Sequence, residues 1–352
     1  MTITNFGGTR REMMRFGLTT LLGAAAAGRI GGAPAASAQD GAPAFPALPE
    51  LPAAAERAGG PLQVAATTTI VADLVAQIGG GRVQVVTIMP PNADPHDFEP
   101  APQDLAAAEG AAIVFAIGLE FDTVTTDLIA GAAPEATLVF LSDGVEAHDA
   151  EHAHGAEAEA EGDDHDHDHD HGAVDPHIWF DPTLVVTMVA TVGTALMAAD
   201  PEGAPDYLAR LTAYQANLAT LDQEIAARVA LVPAEQRKLI TNHDAIAYYA
   251  ERYGLEIVGT VIPGLDTRSE PSAKEIADLI ETIEAEGVRV IFAENTVGAG
   301  LAEELAAQVG IEVVDTLYTD SLGVAGSGAE TYIAMMQTNT LTIVDALVAA
   351  GA

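Results

Sequence analysis

From Pro61 onward, short apolar runs and helical patterns take turns along the chain. "LQVAA" (62–66) precedes a helical stretch from about Ile70, "VQVVTI" (83–88) one from Pro102, and "AAIVFAIG" (111–118) one near 121–130, with "ATLVFL" (136–141) closing the set. Runs of this length set between helices predict βα units on a parallel sheet. The same order returns later: "KLIT" (238–241), helix from Asp244, "LEIVGTVI" (255–262), helix 272–286, "VRVIFA" (288–293), helix 299–309, "IEVVDTL" (311–317), and a last helix from about Glu330. Two α/β lobes are therefore expected. Between them, Tyr207, Leu208, Leu211, Tyr214, Leu218, Leu221, Ile225 and Val229 recur at spacings of three and four. They mark one long amphipathic helix, ended by Pro233, that joins the lobes as a strut.

The pattern fails in three places, which set the expected domain limits. Residues 1–38 read as an export signal: Arg10, Arg11 and Arg15 precede the weakly apolar "FGLTTLLGAAAAG", and "ASA" at 36–38 matches a cleavage site. The adjacent arginines suggest the twin-arginine route, with an ordinary secretory signal as the alternative. Residues 39–60 are rich in Pro and Ala and read as a flexible leader. Residues 146–171 carry eleven acidic residues and seven histidines, with no Lys, Arg, Val, Ile, Leu or aromatic residue. Such a stretch cannot bury a core and is expected to be a loop inserted in the first lobe. The ordered parts are then a first lobe at 61–200, a linking helix at 201–232 and a second lobe at 233–352.

Charge narrows the partners. Removing residues 1–38 takes four basic residues and one acidic residue from totals of 14 and 52, leaving 10 against 51 and a net charge of −41. A surface this acidic repels nucleic acid and anionic lipid and attracts cations. The chain has no cysteine, hence neither disulfides nor a lipid-bearing Cys, and a free, monomeric periplasmic protein is expected. No apolar run after the signal reaches the ~20 residues a bilayer span needs, so no membrane insertion is expected.

Ligands of open α/β sheets bind beyond the carboxyl ends of the strands. "MPPNADPHDFEP" follows "VQVVTI" and carries His96; "NHDA" follows "KLIT" and carries His243; "YTD" follows "IEVVDTL" and carries Asp320. "DPHIWFDP" follows the acidic insertion and carries His177. Three imidazoles and a carboxylate suit tetrahedral Zn(II), whereas manganese favours more oxygen donors. Proline before His96 and His177 restricts the backbone, and Asp94, Asp175 or Asp244 could accept the second imidazole N–H. Glu294, in "FAENT", is a rival oxygen ligand or a structural hydrogen-bonding group, and Trp179 and Phe180 are core or site wall. His165, His167, His169 and His171 alternate with Asp and could bind metal more weakly, because ordering a flexible chain costs about 1–2 kcal/mol per residue. A zinc hydrolase is a weaker reading, since no His-Glu-x-x-His helix is present.

Taken in order, "MPPNADPHDFEP", "DPHIWFDP", "NHDAIAYYAERYG", "SEPSAKEIADLI", "IFAEN" and "LYTDSLG" resemble the solute-binding proteins of zinc and manganese ABC importers. The resemblance runs from about residue 62 to the C-terminus. It implies two (β/α)4 lobes joined by a long helix, no enzymatic activity, and one metal ion in the interlobe cleft, delivered to an ABC permease of the inner membrane. Its ligands would be His96, His177, His243 and Asp320, with water or Glu294 as alternatives to Asp320. His at the "NHDA" position and a His-rich loop before "DPHxW" are zinc features of that family, so Zn(II) is the expected cargo. A manganese-binding homologue and a zinc buffer or chaperone are the alternatives. The linking helix would permit only small lobe motions.

Overall fold

The apolar runs form strands and the polar residues at their ends form caps. This computed structural model describes residues 60–148 and 174–351. The expected export signal, almost all of the leader and most of the acidic insertion lie outside the described residues. In the first lobe β1 (Leu62–Ala66), β2 (Val83–Thr87), β3 (Ile113–Ala116) and β4 (Thr137–Phe140) form a parallel sheet in the order β2-β1-β3-β4. In the second, β5 (Lys238–Thr241), β6 (Glu256–Thr260), β7 (Val290–Glu294) and β8 (Glu312–Leu317) repeat that order as β6-β5-β7-β8, again all parallel. Both sheets thus present the carboxyl ends of their strands along one edge, where the chemistry-bearing loops begin.

The helices are α1 (Thr69–Gly79), α2 (Pro102–Ala108), α3 (Thr123–Ala132), α4 (Pro182–Ala199), α5 (Ala204–Val229), α6 (Ala247–Tyr253), α7 (Ala273–Glu286), α8 (Gly300–Val309) and α9 (Tyr332–Gly351). Three of them, α1, α4 and α7, start at side chains that satisfy free backbone N–H groups. The Thr68 hydroxyl accepts from Val71 N, Asp181 accepts from Thr183 N, and Ser272 and Glu275 form a reciprocal capping box. α6 ends at Gly254 with φ 71°, a left-handed conformation that glycine adopts without steric cost.

α5 is the predicted linking helix, 26 residues or about 39 Å long. It packs on α1 and α4 at one end and on α6 and α9 at the other. Its stripe differs from the expectation at one position: Tyr207 is buried while Leu208 is 49% exposed. Successive residues on a helix cannot share one face, and Tyr207 wins because its hydroxyl reaches Asp200 at 2.8 Å.

α4 is not foreseen by the pattern. Its residues are apolar nearly all round, so no polar stripe marks a helical period. α4 and α9 are long and apolar enough to cross a membrane by length and composition, against the expectation that no such run follows the signal. α4 nonetheless buries Val185, Met188, Val189, Val192 and Leu196 fully inside the protein, so its apolarity serves the core. One continuous apolar cluster takes in α1, α4, α5, α6 and α9 with residues of both sheets, while smaller clusters lie under α2 and α3 and under α7 and α8. The two lobes therefore share one core along their common side.

Candidate metal centre

Four loops that leave the sheet edges converge in the cleft. His243 follows β5 by two residues, Asp320 follows β8 by three, His96 lies in the loop after β2, and His177 precedes the short 3-10 turn Ile178–Phe180. One ligand atom from each lies within 4.8 Å of the others. The Asp320 carboxylate is the hub, with His243 Nε2 at 3.4 Å, His177 Nε2 at 3.6 Å and His96 Nε2 at 3.9 Å. All three Nε2 atoms and both Asp320 oxygens are buried and have no hydrogen-bond partner among the described residues. Buried polar groups are ordinarily paired, because an orphan one costs about 1–3 kcal/mol. Five such atoms turned toward one point can be satisfied together by a cation.

The far sides of two of the imidazoles face carboxylates. Asp175 Oδ1 accepts from the backbone N–H of His177 at 2.9 Å and lies 2.7 Å from its Nδ1. Glu294 does this for His243: Oε1 accepts the His243 N–H at 2.9 Å and Oε2 lies 2.6 Å from Nδ1. Thr319 donates to Glu294 Oε2 at 3.0 Å. Glu294 thus stands behind His243, outside the four-atom cluster. Asp94 accepts the backbone N–H of His96 and the hydroxyl of Thr267, so it shapes the His96 loop instead of meeting the imidazole ring. Trp179 is fully buried, lies 5.3 Å from the His177 ring and donates its indole N–H to Thr319 O at 3.0 Å.

These surroundings split the proton affinities. Burial, reinforced by the neighbouring His177 and His243, pulls His96 down to about 4, and burial likewise holds His177 well below its ordinary value. Burial also pulls on His243, but Glu294 and Asp320 outweigh it and push this imidazole up to about 10. Burial raises Asp320 to about 7. His96 and His177 therefore present free lone pairs at neutral pH, while His243 holds a proton and Asp320 is partly protonated, and a cation that binds there displaces both.

The family model described as "Zinc-uptake complex component A periplasmic" matches residues 64–346. The chain belongs to this family. Its members are substrate-binding proteins of ABC importers that bind a metal ion and work with a membrane permease; they are not enzymes. The family member described here is similar to the manganese-binding lipoprotein MntA of Halalkalibacterium halodurans, at 29% identity over 81% of this chain and 88% of that one. It is 26% identical to the iron ABC transporter substrate-binding lipoprotein MtsA of Streptococcus pyogenes serotype M1, over 79% of this chain and 86% of that one. Among solved structures, the periplasmic zinc binding protein TroA from Treponema pallidum superposes with a TM-score of 0.71 at 28% identity, covering 82% of this chain and 99% of the other. The metal named thus differs from one relative to the next.

His165, His167, His169 and His171 lie outside the described residues. Three contributors near the site escape a reading of the sequence: Phe121, Tyr248 and Thr319. Thr319 adjoins Asp320 and Phe121 stands just after β3, so the strand-end rule that pointed to the candidate ligands also covers these two.

Proposed function

We propose that this protein captures Zn(II) in the periplasm with His96, His177, His243 and Asp320 as its four ligands, and delivers the ion to an ABC permease. The carrying observation is the set of five buried, unpartnered donor atoms facing one point. Three imidazole nitrogens and a carboxylate oxygen are the donor set of a tetrahedral zinc site, and manganese would be under-supplied with oxygen. Glu294 and Asp175 fix the imidazole tautomers that leave Nε2 free for the ion. The export signal at 1–38 and the periplasmic family description support the location.

The deciding experiment is a competition titration of zinc and manganese against a chelator of known affinity, on the mature chain and on His243→Ala. One tight zinc site, with manganese far weaker, is expected for the wild type. His243→Ala should lose zinc affinity by about 100-fold or more, since it removes a ligand outright. Unchanged affinity in that variant would dismiss the ligand assignment, and equal affinity for manganese would dismiss zinc as the cargo.

A further inference from the structure

Next to the ligand cluster the backbone takes a conformation that needs a reason. After β3, Gly118, Leu119 and Glu120 follow one another at φ 87°, 53° and 64°. A left-handed residue with a side chain is uncommon, and two in succession are strained. The strain is held by Asp122, a buried carboxylate that accepts from Thr67 Oγ1 at 2.6 Å, from Ile117 N at 2.8 Å and from Gly118 N at 3.1 Å. Glycine suits position 118 because φ there is 87°, where a side chain is strained whatever the space around it. The turn delivers one side chain, Phe121, which is 5% exposed.

Phe121 meets both first-lobe imidazoles edge to face. Its ring centroid lies 5.2 Å from that of His96 at 87° and 5.8 Å from that of His177 at 74°, with Trp179 behind it at 4.9 Å. Phe121 thus turns hydrocarbon, with no donor atom, toward both first-lobe imidazoles. We propose that Phe121 is a specificity-determining residue, an apolar wall that keeps water from becoming a further ligand and so favours an ion content with four donors over one that wants six. This rests on the four-ligand reading above. A d10 zinc ion has no electronic need of extra ligands, whereas manganese pairs with oxygen at higher coordination number. The wall of a metal site controls solvent access in this way. The strained turn is then functional: it places a ring where a regular strand-to-helix connection would not.

Cobalt(II) serves as the probe, because a four-coordinate cobalt ion absorbs strongly in the visible and a six-coordinate one weakly. Wild type should show the strong spectrum and a high zinc-to-manganese affinity ratio. Phe121→Ala should weaken the absorption and lower that ratio by about 10-fold or more. Phe121→Leu, which keeps apolar bulk, should retain both. Should Phe121→Ala fail to fold, as read from its thermal melt, Phe121→Val opens a smaller gap of the same kind and carries the same two expectations. An unchanged spectrum and ratio in the folded truncation would overturn the proposal. So would a loss of zinc affinity with the cobalt spectrum intact, which would make Phe121 a packing residue only. His243→Ala, run beside them, must abolish the four-coordinate spectrum. If it does not, the ligand assignment has failed, whatever Phe121 does.

Discussion

At the scale of single residues, the two lobes contribute histidines of opposite character. His96 and His177 are kept neutral by burial, whereas His243 is pushed up to about 10 by Glu294 and Asp320 against the effect of burial, and Asp320 is raised by burial to about 7. The sign for metal binding follows. An ion needs His243 Nε2 bare and Asp320 ionised, so around neutral pH binding displaces between about one and two protons. As pH falls through 7 Asp320 protonates fully, and apparent affinity should drop by up to about 100-fold per pH unit; as pH rises the drop is relieved. Calorimetry at pH 7 in buffers of different ionisation enthalpy counts those protons, and a count near zero would contradict the assignment. Glu294→Gln removes the negative charge behind His243. Zinc affinity should fall about 10- to 100-fold through loss of orientation and ligand basicity. Its pH dependence should also become shallower, because His243 would no longer hold its proton so strongly. A competition titration at several pH values reads both effects.

At the scale of elements, the ends of the acidic insertion are tied to each other and to the second lobe. Asp175 N donates to His148 O at 3.1 Å, His148 N donates to Tyr248 Oη at 2.9 Å, and Tyr248 O–H donates to Asp175 O at 2.9 Å. The chain therefore leaves at 148 and returns at 175 at one place beside His177, and residues 149–173 can be replaced by a short Gly/Ser linker without moving the ligands. Such a variant should keep one tight zinc site while binding less zinc in total. Loss of the tight site in an equilibrium titration would place the site in the insertion. Strands and the cluster of candidate ligands were legible because each lies in a local pattern: apolar runs of strand length, and His or Asp just beyond them. α4 was hidden because an all-apolar helix has no stripe, and the partner of His243 was hidden because Glu294 is 51 residues away. Tyr248 acts through contacts with a segment distant in sequence, and residue spacing carries no record of those.

At the scale of the molecule, cation capture and release must work within a pair of lobes that share a core. Direct bonds cross between them near the site: Leu322 N to Thr69 Oγ1 at 2.8 Å, Asn92 N to Ser321 Oγ at 2.9 Å, Trp179 Nε1 to Thr319 O at 3.0 Å and Tyr332 Oη to Trp179 O at 2.7 Å. Opening the cleft widely would break all of these and tear the apolar cluster that α5 and α9 complete, at a cost far above the few kcal/mol of an ordinary conformational equilibrium. Local movement costs less. The His96 loop shares the Asn92–Ser321 bond and adds Asn295 Nδ2 to Asn92 Oδ1 at 3.0 Å and Thr267 Oγ1 to Asp94 Oδ2 at 2.6 Å, but residues 90–97 contribute nothing to the shared apolar cluster. His96 should therefore be the ligand that admits and releases the ion while the lobes stay in place. The absence of native cysteine lets two spin labels be placed specifically, at the exposed positions Asp127 on α3 and Glu281 on α7. Their distance distribution should be the same with and without zinc. Amide exchange at 91–97 should slow strongly on binding, while exchange in α5 stays unchanged. A shift of the label distance by several ångströms would instead make this a hinge protein, and the shared core would have to divide as the cleft opens.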